Sequence, residues 1–227
     1  AMGPVLFFDL IFEYLEHYDP LEFLSKIAKE FRINLFGSNA TLEGDCHYST
    51  GFYIDSTGRV VSKVHKMILT KPANEAGFCP GNQIQIFKTE FGKMAILVCK
   101  DAFNRYSPIW FHELKKRGVE YILVPSMSLK FDKNSVDFWV HSMWLLARWF
   151  DIYIFAPGTV GKNYTPYPSF GNAVIVERDE GFLKKGSENK EELLIAEISV
   201  RSREDIEESY QSKWDPVDPP DIQITEA

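Results

Sequence analysis

The fold is decided by the stretch Met94-Ala95-Ile96-Leu97-Val98-Cys99-Lys100-Asp101, in which a run of apolar residues ends at a cysteine. A short, continuous apolar run is typical of a strand that is buried on both faces of a sheet. In α/β sheets, the carboxyl ends of such strands are the places where reactive groups face a crevice. The stretch therefore predicts an α/β fold in which the Cys99 thiol lies at the mouth of a crevice.

Working outward from this strand, the sequence alternates between helical and extended patterns. Helices are predicted at 19–31, 108–116 and 136–150. Strands are predicted at 33–36, 52–54, 60–64, 84–87, 93–99, 121–124, 152–155, 173–176 and 193–198. Turn residues at Asp55-Ser56-Thr57-Gly58 and Glu90-Phe91-Gly92 predict hairpins, so antiparallel pairs are mixed with parallel ones. The pattern indicates an α/β architecture of mixed sheets covered by helices.

Length and composition favour one globular domain over residues 1–227, because 227 residues with 45 % hydrophobic content can build one sizeable core. The net charge of -7 and the lack of a basic run argue against nucleic-acid binding. The apolar stretches are too short for a membrane span, and no secretory signal is visible. Beyond Arg201 the chain is acidic and proline-rich, which predicts an extended tail over residues 201–227 that grips a partner subunit.

The cysteine and histidine counts bear on compartment and metal binding. Three cysteines are an odd and small number, which argues against a disulfide framework and for a reducing, cytoplasmic location. Cys46 and Cys79 lie in polar or turn-like segments and are interpreted as incidental. The five histidines are scattered without a pair four residues apart, so no metal site is predicted.

Cys99 has two interpretations at this point. At the end of a buried strand its thiol can meet a substrate, and the backbone N–H of Lys100 is well placed to bind a developing oxyanion. Free cysteine is also among the most buried residue types, and it often acts as a small hydrophobe.

Lys66 follows the predicted strand 60–64 and precedes apolar Met67-Ile68-Leu69. Most lysines at strand ends are solvated charges. Beside a reactive thiol, however, a cation favours the thiolate form and stabilises a tetrahedral oxyanion.

Taken in order, these features resemble the nitrilase superfamily of carbon-nitrogen hydrolases. The resemblance runs from about Ile33 to Val176. It rests on the sequences His65-Lys66-Met67-Ile68-Leu69, Pro80-Gly81, Glu90-Phe91-Gly92-Lys93, Ile96-Leu97-Val98-Cys99 with Asp101, Gly118-Val119-Glu120 and Leu123-Val124-Pro125-Ser126.

The resemblance implies a four-layer α-β-β-α sandwich that hydrolyses small amides, carbamoyl compounds or nitriles without metal or cofactor. Cys99 would be the nucleophile, forming a thioester or thioimidate, and Lys66 with the Lys100 N–H would hold the oxyanion. The resemblance also implies a homodimer or higher homo-oligomer that stacks helical faces. Two alternatives remain: a catalytically weak or silent relative that uses the same pocket or its oligomer surface for binding, and an acyltransferase that uses an amine in place of water.

The carboxylate base is where the sequence departs from the family pattern. The family carries a glutamate at the end of an early strand, in a pattern like Phe-Pro-Glu-Leu, whereas the best match here is Phe7-Phe8-Asp9-Leu10. Asp9 is the preferred base, although it is one methylene shorter. Glu13 is a rival, but the helical spacing of its apolar neighbours places it on the wet face. Glu75 is the candidate for the family's second glutamate, with an exposed loop acid as the alternative.

Only eight residues precede Asp9. The resemblance implies an earlier strand and helix, so we expect that this first part of the family's fold is missing from the chain.

Overall fold

A computed structural model describes residues 15, 17–162 and 167–198 of the chain. Its helices include α1 (Pro20–Phe31), α2 (Lys71–Glu75), α3 (Ser107–Lys116) and α4 (Ser135–Phe150), with a 3₁₀ turn at Cys99–Ala102. Its strands are β1 (Leu35–Glu43), β2 (Cys46–Ile54), β3 (Val60–His65), β4 (Ile86–Thr89), β5 (Gly92–Ile96), β6 (Tyr121–Leu123), β7 (Tyr153–Ala156), β8 (Val160–Gly161), β9 (Ser169–Phe170), β10 (Val174–Glu177) and β11 (Gly181–Lys185).

Helix α1 begins and ends at residues whose chemistry suits a helix boundary. The Asp19 side chain accepts a hydrogen bond of 2.8 Å from the Leu21 N–H, and Pro20 occupies the first turn, where its missing N–H does no harm. Arg32 closes the helix in the left-handed conformation. The buried face of α1 includes Leu21 and Ala28, which pack with Phe52 and Ile54 of β2.

Strands β1, β2 and β3 form an antiparallel sheet. The hairpin predicted around Asp55-Ser56-Thr57-Gly58 joins β2 to β3 and is confirmed. The preceding β1–β2 hairpin was not predicted, since the sequence indicated only separate strands at 33–36 and 52–54: its register runs from Leu35 opposite Ile54 to Glu43 opposite Cys46. The residues of this hairpin are mostly polar and show no alternating apolar pattern. Their extended pairing depends on the close turn between Glu43 and Cys46.

The larger sheet has the order β11-β10-β7-β6-β5-β4. Strands β5, β6 and β7 run parallel at its centre, while β4, β10 and β11 are antiparallel to their neighbours. The helices α3 and α4 lie between parallel strands in the sequence, as crossover connections require. This arrangement confirms the predicted mixed α/β class.

Two sheets pack face to face, and helices cover their outer faces. An added Cβ at Gly51 on β2 would lie 2.6 Å from Ile96 Cγ2 and 2.8 Å from Val98 Cγ2, so the sheets approach closely at the end of β5. On the opposite face of the large sheet, Ala95 and Leu97 join a core with Phe111 of α3 and Trp139 of α4. The layers are therefore helix, sheet, sheet and helix, as predicted.

The last strand lies elsewhere than expected. The sequence predicted a strand at 193–198 after a long charged turn, whereas β10 pairs with 181–185 across a short turn, and 191–198 has no regular structure. The prediction was wrong because Lys184 and Lys185 made this segment look like a turn. Charged residues are common on edge strands, where they discourage pairing with other molecules.

Cys46 and Cys79 form a disulfide, which corrects the interpretation of both as incidental residues without a partner. The Cys79 N–H donates to the His47 carbonyl oxygen (2.8 Å), so the bridge joins the start of β2 to the segment after α2. Cys99 is the free cysteine. The count of three could not reveal this pairing, because the two residues are 33 positions apart.

The contacts divide the chain into residues Ala1–Ala196 and Glu197–Ala227. The predicted tail at 201–227 lies outside the described residues. Within the described ranges, no helix combines the length and the apolar character needed to cross a membrane.

Candidate active site

Cys99 follows β5 at the carboxyl edge of the large sheet. The ladder continues past β5, because the Leu97 N–H donates to the Leu123 oxygen (3.0 Å) and the Cys99 N–H donates to the Pro125 oxygen (2.9 Å). At Cys99 the backbone turns into the 3₁₀ segment with φ of 51°, a left-handed conformation that is uncommon for a residue other than glycine. Such conformations cluster at active sites, where the surrounding structure holds them in place. The half-buried side chain is not enclosed in the core.

Lys66 comes directly after β3 and is 5 % exposed. Its Nζ donates a hydrogen bond of 2.8 Å to the carbonyl oxygen of Val98, the residue before Cys99. Its backbone is held on both sides, since its N–H donates to the Ser49 oxygen and its oxygen accepts from the Gly81 N–H, each at 2.8 Å. The structure thus brings the predicted cation next to the turn that carries the predicted nucleophile, rather than into solvent.

Asp101 ties these two segments together. Its carboxylate is buried and accepts hydrogen bonds from the Ile68 N–H (2.8 Å, Oδ1) and the Met67 N–H (3.1 Å, Oδ2). Burial raises the pKa of the Asp101 carboxyl, and the charge of Lys66 together with the donated N–H groups acts against that rise. A buried anion is therefore placed near a buried cation, and it fixes the backbone that follows the lysine.

Ser126 contacts the sulfur itself. Its Oγ donates to Cys99 Sγ at 3.3 Å, and it accepts a hydrogen bond of 3.2 Å from the Ser128 N–H. Ser126 follows β6 closely, so the carboxyl ends of two neighbouring parallel strands meet at the thiol.

The proposed carboxylate Glu75 does not lie at the thiol. Glu75 ends α2 with its side chain 61 % exposed, and its carboxylate lies 3.7 Å from Lys71 Nζ. Among the described residues, Glu75 has no hydrogen bond or ion pair with Cys99 or Lys66. Asp9 and Glu13 lie outside the described residues, so both remain predictions. Lys100 is exposed beside Cys99, and the role of its N–H also remains a prediction.

A separate cavity of about 390 Å³ lies between the segment after β7 and the coil after β11. Its lining includes Gly158, Asn172 and Lys190, but neither Cys99 nor Lys66. We therefore place the candidate active site at the thiol and not in this cavity.

Sequence reasoning gave no role to Asp101 or Ser126, although both lay inside the quoted motifs. The available signal was their position two residues beyond the ends of the predicted strands 93–99 and 121–124, where a polar side chain can reach a neighbouring segment.

Solved structures with a similar fold include a carbon-nitrogen hydrolase and a member of the nitrilase superfamily. A carbon-nitrogen hydrolase from Helicobacter pylori matches with a TM-score of 0.69 and 21 % identity, over 79 % of this chain and 65 % of that one. A Saccharomyces cerevisiae member of branch 10 of the nitrilase superfamily matches with a TM-score of 0.66 and 20 % identity, over 75 % of this chain and 62 % of that one. The fold is therefore that of the nitrilase superfamily.

An amidase variant from Nesterenkonia sp. is also similar in fold, with a TM-score of 0.70 and 20 % identity, over 83 % of this chain and 70 % of that one. That amidase carries the acetamide moiety of fluoroacetamide covalently on its active-site cysteine. A probable hydrolase of Bacillus subtilis, YhcX, is 26 % identical over 128 residues, which are 54 % of this chain and 23 % of the relative. The chain thus spans about a quarter of the length of this curated relative.

The sequence profile of the carbon-nitrogen hydrolases matches residues 11–207. The chain belongs to the carbon-nitrogen hydrolase family.

Proposed function

We propose that this protein hydrolyses a non-peptide carbon-nitrogen bond in a small amide, carbamoyl compound or nitrile, with Cys99 as the covalent nucleophile. The hydrogen bond from Lys66 Nζ to the Val98 oxygen carries this proposal, because it places a buried ammonium beside the thiol-bearing turn. The covalent adduct on the active-site cysteine of the Nesterenkonia amidase, a protein of the same fold, supports the role of the thiol.

In the proposed reaction, the Cys99 thiolate attacks the carbonyl carbon of an amide. The carbon-nitrogen bond then breaks, the amine leaves with a proton from the base, and water hydrolyses the thioester to restore the thiol. An ammonium has three protons, so the bond to Val98 engages one of them and Lys66 can also donate to the oxyanion. The Lys100 N–H would be the second donor.

A carboxylate must move the protons in this reaction. We keep Asp9 as the proposed base, with Glu13 as its rival and Glu75 as a second carboxylate. Burial and hydrogen bonding commit Asp101 to the backbone after Lys66, which argues against Asp101 as that base.

The second candidate function is binding by a catalytically weak or silent member of the family. The presence of Asp9 where the family carries a glutamate favours it. An acyltransferase is the third, because it needs the same thiol and cation and differs only in the acceptor. Cytoplasmic location stays a prediction, and the Cys46–Cys79 disulfide removes the argument from unpaired cysteines on which it rested.

Assembly into a homodimer or larger homo-oligomer is also part of the proposal. Helices α3 and α4 expose large apolar side chains, among them Ile109, Phe138 and Trp149. Covering such side chains against a second copy would remove apolar surface from water. Light scattering on the purified chain tests this directly.

Intact-mass measurement after exposure to a panel of amides and nitriles tests the hydrolase proposal. We expect an acyl adduct on the wild-type protein, located on the peptide that contains Cys99, and no adduct on C99S. Release of the carboxylate product separates hydrolysis from transfer to an added amine. Binding of panel members without any adduct or product would instead support the silent relative.

A further inference from the structure

The segment after β6 reaches Cys99 at two points. The Pro125 carbonyl oxygen accepts the Cys99 N–H at 2.9 Å, and the Ser126 hydroxyl lies 3.3 Å from Cys99 Sγ. The first contact fixes the backbone of the nucleophile. The second acts on the sulfur itself, which could otherwise rotate about the Cα–Cβ bond.

The direction of the serine hydrogen bond follows from its other partner. A hydroxyl has one proton to donate and two lone pairs that accept. One lone pair of Ser126 Oγ accepts the Ser128 N–H at 3.2 Å, and a backbone N–H can only donate. The hydroxyl proton is therefore available to point at the sulfur.

Contacts from the opposite side hold the serine segment in place. The Ser128 oxygen accepts the Phe170 N–H at 2.7 Å, and the Met127 oxygen accepts a hydrogen bond from the Thr159 hydroxyl. Ser128 itself has φ of 53°, a conformation that persists only where its surroundings fix it. The hydroxyl of Ser126 is thus presented by a restrained backbone.

We propose that Ser126 is a positioning residue that holds the Cys99 sulfur by a donated hydrogen bond and stabilises its thiolate. This inference rests on the proposed function, since it concerns the attack and departure of the same sulfur. A hydrogen bond to a charged acceptor is stronger than one to a neutral acceptor, so the contact strengthens when the thiol ionises. It weakens again when the sulfur becomes part of a thioester.

Alkylation of Cys99 by iodoacetamide provides the test, in wild type and in S126T, S126V and S126A. Threonine and valine have the same shape and differ by the hydroxyl, so their ratio isolates the donor from the added methyl group. We expect S126T to react at close to the wild-type rate, and S126V and S126A about tenfold more slowly. S62A is the control for loss of a serine hydroxyl, because Ser62 is buried on β3 and bonded to Gln85.

The alkylation rates of S126T and S126V decide whether the Ser126 hydroxyl acts on the sulfur. Equal rates for S126T and S126V would overturn the inference, even if Cys99 of the wild type reacts quickly. Alkylation of S126T about ten times faster than that of S126V would support it, whatever the absolute rate of the wild type. If native wild-type Cys99 reacts no faster than Cys99 in the urea-unfolded chain, the proposed function fails separately, because the folded site would not activate its thiol.

Discussion

At the scale of single residues, Lys66 is notable for lying out of water. An ammonium with 5 % exposure needs compensating partners, and the Val98 oxygen at 2.8 Å together with the nearby Asp101 carboxylate supplies them. Because lysines are usually exposed, this burial supports the proposed role of Lys66 as a cation inside the site.

Replacing Lys66 with methionine should keep the volume and remove the charge. We expect formation of the acyl adduct on Cys99 to slow by about 100-fold, since removing one oxyanion donor has effects of this size. Rapid-quench mass spectrometry measures the rate. K63M is the matched control, because Lys63 lies on β3 three residues before Lys66 but is exposed and paired with Glu43. Equal slowing in both variants would count against a role for Lys66.

Asp101 leads to a prediction about pH. Its folded-state pKa is raised above the ordinary 3.8, so the folded protein keeps this proton at pH values where the unfolded chain has lost it. The contribution of Asp101 to stability must then fall as pH rises from about 3.8 through the raised value. In D101N this part of the pH dependence should disappear. Parallel plots of the urea midpoint against pH, for wild type and variant, would contradict the prediction.

Sequence reasoning predicted Cys99 and Lys66 because each stands next to a strand with a clear apolar pattern, in motifs that resemble the nitrilase superfamily. It gave no role to Asp101 or Ser126, because their partners lie 34 and 27 positions away along the chain. Contacts of this separation follow from how strands align in the folded sheets. A position beyond a strand end indicates that a polar side chain can reach a neighbouring segment, but it does not indicate which segment.

At the scale of elements, the Cys46–Cys79 disulfide staples the β1–β2 hairpin to the segment after α2. That segment includes Gly81, whose N–H bonds to the Lys66 oxygen at 2.8 Å. An added Cβ at Gly81 would lie 2.2 Å from the His65 oxygen, so the two backbones touch. The disulfide therefore supports the end of β3, which is followed directly by Lys66.

Loss of this bridge should destabilise the protein by about 3 kcal/mol, because a cross-link of this span restricts the unfolded chain. The double variant C46S/C79S and the reduced wild type should show similar lowered urea midpoints. Adding a reductant to the double variant should change nothing further. A wild-type midpoint that does not respond to reduction would show that the bridge does not stabilise the fold.

The predictability of elements depended on how continuous their apolar patterns are. Strands β5 and β6 and helix α4 follow from uninterrupted or periodic apolar residues, and the structure confirms them. The early part of β2 is polar and the end of β11 is charged, and pairing with a neighbouring strand makes both extended. Tertiary pairing of this kind overrides local preference.

At the scale of the whole molecule, the close approach of the two sheets determines where the site lies. Gly51 on β2 faces Ile96 and Val98, and the Val98 oxygen is the acceptor of the Lys66 ammonium. The small sheet thus carries the cation, and the large sheet carries the thiol. Their packing distance controls how closely the two groups meet.

A methyl group at Gly51 should force this interface apart. We expect G51A to lose roughly 1 to 3 kcal/mol of stability, a typical penalty for overpacking, and to slow Cys99 alkylation. G186A is the matched control, because an added Cβ there comes no closer than 3.5 Å to another atom. Urea titration and alkylation of both variants test the prediction. Equal stability and equal Cys99 alkylation rates in G51A and G186A would show that the two sheets can accommodate the added methyl group, and would contradict the prediction.

The most direct measurement of the central claim is a crystal structure of the protein after reaction with fluoroacetamide, the compound seen as an adduct in the Nesterenkonia amidase. We predict continuous density from Cys99 Sγ through a methylene carbon into an acetamide group, formed as the sulfur displaces fluoride, with the amide oxygen about 3 Å from Lys66 Nζ. An unmodified Cys99 sulfur, or an adduct whose oxygen points away from Lys66, would contradict it.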